Sequence, residues 1–186
     1  MTAVWIALGL VGVLALWSLV TWNRYVEARQ YVAQSWSGVD VELRRRYELI
    51  PNLVEVVRAH AAHERATLEA VVAARSRAAT ANGTHDDEQV AAEAQVSSSL
   101  GHLMAVAEGY PKLRADRLFV RLQTQLVDTE DRIAAARRLH NANVRRWNEL
   151  GQTIPSNLFA GPAGWRPDPY IEFDPAITRT VPPTTF

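Results

Sequence analysis

Cysteine is absent from the 186 residues, so disulfide scaffolds, thiolate zinc centres, iron–sulfur clusters and cysteine nucleophiles are excluded together. Excess charge of either sign is also missing. The 20 Lys+Arg balance 20 Asp+Glu, and a neutral chain carries no broad electrostatic attraction for nucleic acid. Phosphate-cradling glycine loops are lacking, since Gly9 and Gly12 sit in an apolar run and no G-x-x-x-x-G-K or G-x-G-x-x-G follows a strand pattern. A serine nucleophile elbow is missing too, because Ser97–Ser99 has no flanking glycines at the required spacing. Aromatics are sparse at 8%, and consecutive β-branched residues are few. What remains is rich in Ala, Val, Leu, Arg and Glu, which favours helix over strand, and a length that allows one modest domain with appendages.

Charge is absent from Met1 to Asn23, and Ala3–Trp22 supplies the roughly 20 apolar residues that cross a bilayer as a helix. Trp5 lies near one end and Trp17 and Trp22 near the other. The 17 steps from Trp5 to Trp22 rise about 26 Å, so tryptophans fall at both interfaces. A cleaved signal peptide needs a basic n-region, which this segment lacks. Arg24 and Arg29 follow the span and no basic side chain precedes it, which predicts a single-pass protein of the cell (inner) membrane, N-terminus outside and body cytoplasmic.

Beyond this anchor, residues 1–23, the pattern predicts a helical bundle over 24–154. One helix runs from Arg24 to about Tyr47, and Pro51 implies a kink or turn near Ile50. A second helix is expected from Pro51 to about Thr80, then a loop over Ala79–Asp87, a third helix over Asp87–Gly109 and a fourth over Lys112–Gln152. Seven of the nine prolines follow Ile154, so the tail is irregular. Its Phe159, Trp165, Tyr170 and Phe173 suggest that 155–173 docks on the bundle, leaving 174–186 as a flexible tail.

Polar residues interrupt the apolar stripes. On a wheel centred on Leu126, Phe119, Leu122, Ile133 and Val144 lie within about 40°, and so do Glu130, Arg137 and Asn148, with Asn141 within about 60°. The stripe through Ile50, Leu53, Val57, Ala61, Leu68 and Val71 likewise takes in Glu64 and Arg75. A lone buried charge costs several kcal/mol, so Glu64, Arg75, Glu130, Arg137, Asn141 and Asn148 form a candidate buried polar network, either an ion-paired register device or a ligand site. His60 and His63 in HAAHE have the wrong order for HExxH and no Glu-x-x-His partner, so a metal site is not expected. Arg44, Arg45 and Arg46 form a basic triplet beyond the anchor, a candidate lipid-headgroup contact in which Arg46 competes with a place inside the bundle.

In order, WNRYVEARQYVAQSWSGVDVELRRRYELIPNLVEVVRAHAAHE, LMAVAEGYPKL, LVDTEDRIAAAR and IPSNLFA, with His140-Asn141, Val144 and Trp147-Asn148 between the last two, resemble the LemA family of bacterial membrane proteins from about Trp22 to Phe173. Tyr47 stands where the family usually has an acid, and His60 and His140 where it has tyrosine. The resemblance implies a single-pass anchor and a mostly antiparallel four-helix bundle, and it implies no enzymatic activity.

The fold class expected is therefore all-α: an N-terminal transmembrane helix, a four-helix bundle and an irregular C-terminal tail. The function expected is a non-enzymatic scaffold or adaptor at the cytoplasmic membrane face, without catalytic residues or cofactor. Its expected partners are membrane lipids, further copies of itself and other membrane proteins, with no nucleic acid. Self-association rests on Ala3, Ala7, Gly9, Gly12 and Ala15 in the span, on the first helix and on the tail aromatics. The alternative is an enzyme or a sensor of a ligand or ion built on the charged network. It requires those residues to line a water-accessible pocket.

Overall fold

The computed structural model describes residues 1–83 and 87–171. Part of the Ala79–Asp87 loop, Phe173 and the tail 174–186 lie outside the described residues. The fold is all-α, with α1 (Thr2–His60), α2 (Arg65–Ala81), α3 (Asp87–Glu108), α4 (Pro111–Arg114), α5 (Arg117–Gln152) and a short 3-10 turn at Ser156–Phe159. Only α1 is long and apolar enough to cross a membrane among the described residues, and its apolar window lies wholly outside the packed interior.

Of the kink or turn expected near Ile50, the turn does not occur. Pro51 lies inside α1, which ends nine residues later at His60. Proline removes the amide that would bond to the carbonyl one turn back, that of Tyr47. Arg75 Nε donates to that carbonyl at 3.2 Å, replacing the lost partner and letting the helix continue. The second helix accordingly starts at Arg65 rather than Pro51. The expected fourth helix is also divided: Pro111–Arg114 forms one turn, and α5 begins after Asp116. Asp116 Oδ1 accepts the amides of Leu118 at 2.7 Å and Phe119 at 3.1 Å, an N-cap that satisfies donors the first turn cannot.

Two compact units result. One combines Met1–Gly38 with Ala136–Tyr170, and the other is built on Val39–Ala135. In the first, buried positions on α1 recur at steps of four and three: Thr21, Tyr25, Ala28, Val32 and Ser35. In the second the same rhythm runs through Leu43, Arg46, Ile50, Leu53 and Val57. This is the 3.5-residue seam of helices that pack nearly parallel or antiparallel. The second unit also pairs α2 with α3 and α3 with α4, closing over Val57, Val71, Val96, Leu103 and Leu113.

Candidate functional site

The second unit holds a charged cluster in its interior. Arg46 occupies a seam position on α1 and is only 2% exposed, while Glu93 on α3 is 1% exposed. Their side chains form an ion pair, and Tyr47 donates its hydroxyl proton to the other oxygen of Glu93. Arg46 Nη1 also donates to Glu130 Oε1 at 3.0 Å and to Ser97 Oγ at 3.3 Å. Burial pushes the Tyr47 hydroxyl up to about 12, with Asp40 adding to the rise and the Arg46 charge opposing it. The phenol is therefore a neutral donor at physiological pH, and the cluster is an arginine neutralised by two carboxylates. Arg46 is accordingly removed from the lipid-contact triplet: a side chain closed inside the unit on two acids has no face for a headgroup. Arg44 and Arg45 are exposed.

The six candidate network residues do not form one network. Glu130 joins Arg46, and its side chain remains 35% exposed. Arg75 serves the Tyr47 carbonyl, so it meets the same cluster through the backbone. Glu64 stands apart and accepts the Tyr110 hydroxyl at 2.7 Å, a bond that raises the Tyr110 pKa, with burial and the Glu64 charge adding to it. Arg137, Asn141 and Asn148 belong to the first unit, where Arg137 and Asn141 are half-buried. Of the two histidines weighed for metal, His60 bonds Val56 O through Nδ1 at 3.1 Å and lies 3.9 Å from Asp116, while His63 is exposed.

Glu93 escaped the sequence reading, although its signal was present. Gln89, Glu93, Val96, Leu100 and Leu103 share one buried stripe of α3 at four-three spacing. Period choice explains another miss. On α5 the buried residues are Phe119, Leu122, Leu126, Thr129 and Ile133, then His140, Val144, Trp147 and Asn148, the last an inward position that the sequence pattern also selected. A 3.5-residue period puts Thr129 inward where a 3.6-residue wheel centred on Leu126 prefers Glu130. His140 lies within about 40° on that same wheel, nearer the stripe than Asn141 at about 60°, so the period does not account for its omission. His140 is buried, with Ser35 Oγ at 3.2 Å and the Trp36 ring packed edge-on at 5.0 Å.

The first unit holds a docked tail. Trp165 donates through Nε1 to Trp147 O at 3.0 Å, and Trp147 donates to Arg166 O at 2.8 Å. Asn148 bonds both backbone groups of Asp168, accepting its amide at 2.9 Å and donating to its carbonyl at 3.0 Å. Arg29 pairs with Asp168 at 2.8 Å and stacks over Trp147. Two glycines permit this return. Gly164 has φ +62°, and Gly151 lies so close to the Trp165 ring that a Cβ there would be 2.1 Å from it.

Two open grooves flank these contacts. One, of about 310 Å³, is lined by Trp17, Thr21, Arg24, Arg146 and Ser156, among others. The second, of about 400 Å³, is lined by Trp22, Tyr25, Arg29, Trp147 and Asp168, among others. Neither is lined by Glu64, Arg75, Glu130 or Arg137.

Comparison with known proteins agrees with this architecture. The chain is similar to magnetosome protein MamQ of Magnetospirillum gryphiswaldense, at 25% identity over 193 aligned positions covering 90% of this chain and 71% of the relative. It is similar as well to the magnetosome proteins MamQ 2 and MamQ 1 of Paramagnetospirillum magneticum, each at 26% identity with the same coverage. The pattern described as the LemA family matches residues 35–186, from the seam of α1 through the charged cluster to the docked tail. That span is most of the chain, and the protein belongs to the LemA family.

Proposed function

We propose that the protein is a membrane-anchored, non-enzymatic scaffold or adaptor that self-associates at the cytoplasmic face of the membrane. The observation that carries this reading is the closure of its internal charge. Arg46 and Glu93 are buried and ion-paired with each other, Tyr47 donates to Glu93, Glu130 pairs with Arg46 from a partly exposed position, and the two grooves are built from other residues. A sensor or enzyme using the charged network would need those groups open to a ligand, so closure favours a device that holds helix register. Arg24 and Arg29 after the span favour a cytoplasmic body. Relatives named as magnetosome proteins support a bacterial membrane setting. Membrane lipids, further copies of the chain and other membrane proteins are the partners this reading expects.

Crosslinking in native membranes at low expression, followed by detergent extraction and mass measurement, tests this reading. A stable homo-oligomer or a reproducible membrane-protein partner is expected. A monodisperse monomer without a partner would overturn the scaffold assignment.

A further inference from the structure

In the first unit, α5 returns toward the membrane span of α1. His140 lies beside Ser35 and Trp36, Asn143 donates to Tyr31 O, Trp147 packs on Tyr25, and Leu150 O accepts the Tyr25 hydroxyl. Each step forward on α5 is thus a step back on α1. The helix ends at Gln152, and the chain continues in the same direction until Phe159 meets the Trp17 ring edge-on at 5.4 Å. It then turns at 160–164 and climbs back to Trp147 and Asn148 through Trp165 and Asp168. Among the described residues of the body, 153–160 therefore reach furthest along the span.

Trp17 precedes Trp22, the end of the apolar stretch, by five residues, which is about 7–8 Å of helix. That is the depth at which interfacial segments bury their apolar side chains, roughly 5–10 Å into the boundary between headgroups and acyl chains. The composition fits this depth. No charged residue occurs from Leu150 to Trp165, although the preceding turn carries Arg145, Arg146 and Glu149. Ile154 and Leu158 are 81% and 71% exposed, more than any other large hydrophobic side chain beyond the span among the described residues. Arg24, Arg146 and Glu149 line the adjoining groove with Trp17 and Thr21. Arg146 pairs with Glu27 at 3.6 Å, and Arg24 brings a cationic side chain to the depth where such groups meet lipid phosphates.

We propose that residues 153–160 form a second membrane contact, a charge-free loop that inserts Ile154, Leu158 and Phe159 into the headgroup–acyl boundary beside the anchor. The lipid surface is the occupant of this apolar face because the face is continuous with the span through the Trp17–Phe159 contact. This inference rests on the reading of Ala3–Trp22 as a membrane span. The contact makes the body a two-point attachment, with α5 and the docked tail held upright on the bilayer instead of swinging on one helix.

The cysteine-free chain allows a direct test. Ile154→Cys, Leu158→Cys, Val13→Cys in the span and Leu139→Cys on exposed α5 are each labelled with an environment-sensitive fluorophore. The full-length variants are reconstituted at low protein density in phosphatidylcholine–phosphatidylglycerol vesicles. Labels at 154 and 158 are expected to be quenched at least twofold more than the label at 139 by shallow nitroxide lipids, and to be shielded from aqueous iodide. Quenching equal to that at 139, with the label at 13 still quenched by deep nitroxide lipids, overturns the loop insertion and leaves the span intact. Failure at 13 as well overturns the span reading on which the inference depends. Labels at 154 and 158 shielded from both water and lipid would place a protein on this face and refute insertion.

Discussion

A residue inside a helix seam is judged by what replaces the water it gave up. Arg75 illustrates this, since its Nε occupies the carbonyl of Tyr47 that Pro51 leaves without an amide. Arg75→Leu is expected to cost about 1–3 kcal/mol, the penalty of an unsatisfied buried acceptor. In a Pro51→Ala background the helix amide returns to that carbonyl and the cost falls. Unfolding of the full chain in detergent, run as a double-mutant cycle, measures the difference; equal costs in both backgrounds would contradict the role assigned to Arg75. The cluster around Arg46 makes a second comparison. Glu93→Ala leaves a buried guanidinium short of its closest counter-charge and is expected to cost about 3–5 kcal/mol. Glu130, more than a third exposed on its side chain, contributes less, and Glu130→Ala is expected to cost about 1 kcal/mol in the same assay.

At the scale of elements, an end is decided either by one residue or by packing. Asp116 is an end of the first kind, an acid placed one residue before a long helix, although the helix expected from Lys112 runs through it. Its carboxyl is held below the usual carboxylate range by the amides of Phe119 and Leu118, with His60 adding a smaller effect against the opposing pull of burial. The ionised form is favoured by the fold, so its stabilisation is fully present above the unfolded pKa near 3.8 and is lost as pH falls through the lower folded value. Asp116→Ala should therefore lower the thermal midpoint at neutral pH, and the gap to wild type should narrow on acidification below about pH 4. A gap independent of pH, measured by thermal scans across that range, would exclude the carboxylate charge as its source. The end of α1 is of the second kind. HAAHE contains neither proline nor glycine, whereas Pro51, the apparent breaker, is carried through the helix by a side chain that is remote in sequence.

For the whole molecule, orientation is the property that gives every other feature its setting. Arg24 and Arg29 follow the span, so a C-terminal fusion to a reporter active only in the cytoplasm is expected to be active. Activity of a reporter that works only outside would reverse the topology and move the docked tail to the opposite face. The loop at 153–160 is independent of that outcome, because insertion depends on distance along the span and not on which side the body occupies.

The amino-acid order by itself determined the candidate membrane span, the helical class and the family, because each is written in local composition or in a contiguous motif. Of the tail aromatics, Trp165 lies on α5, Phe159 meets Trp17 of α1 and Tyr170 is exposed, a division that composition does not state. The inward placement of Glu64, Arg75 and Glu130 was half legible, as stripe positions without partners. Tertiary structure alone decided that Arg46 faces Glu93, that Arg75 serves a carbonyl and that Glu64 meets Tyr110. A charged residue on a stripe states only that it needs a counter-charge or a donor. Which one it finds depends on the register of helices tens of residues apart, and that register follows from the 3.5-residue seam, where a 3.6-residue wheel drifts by about 20° per heptad.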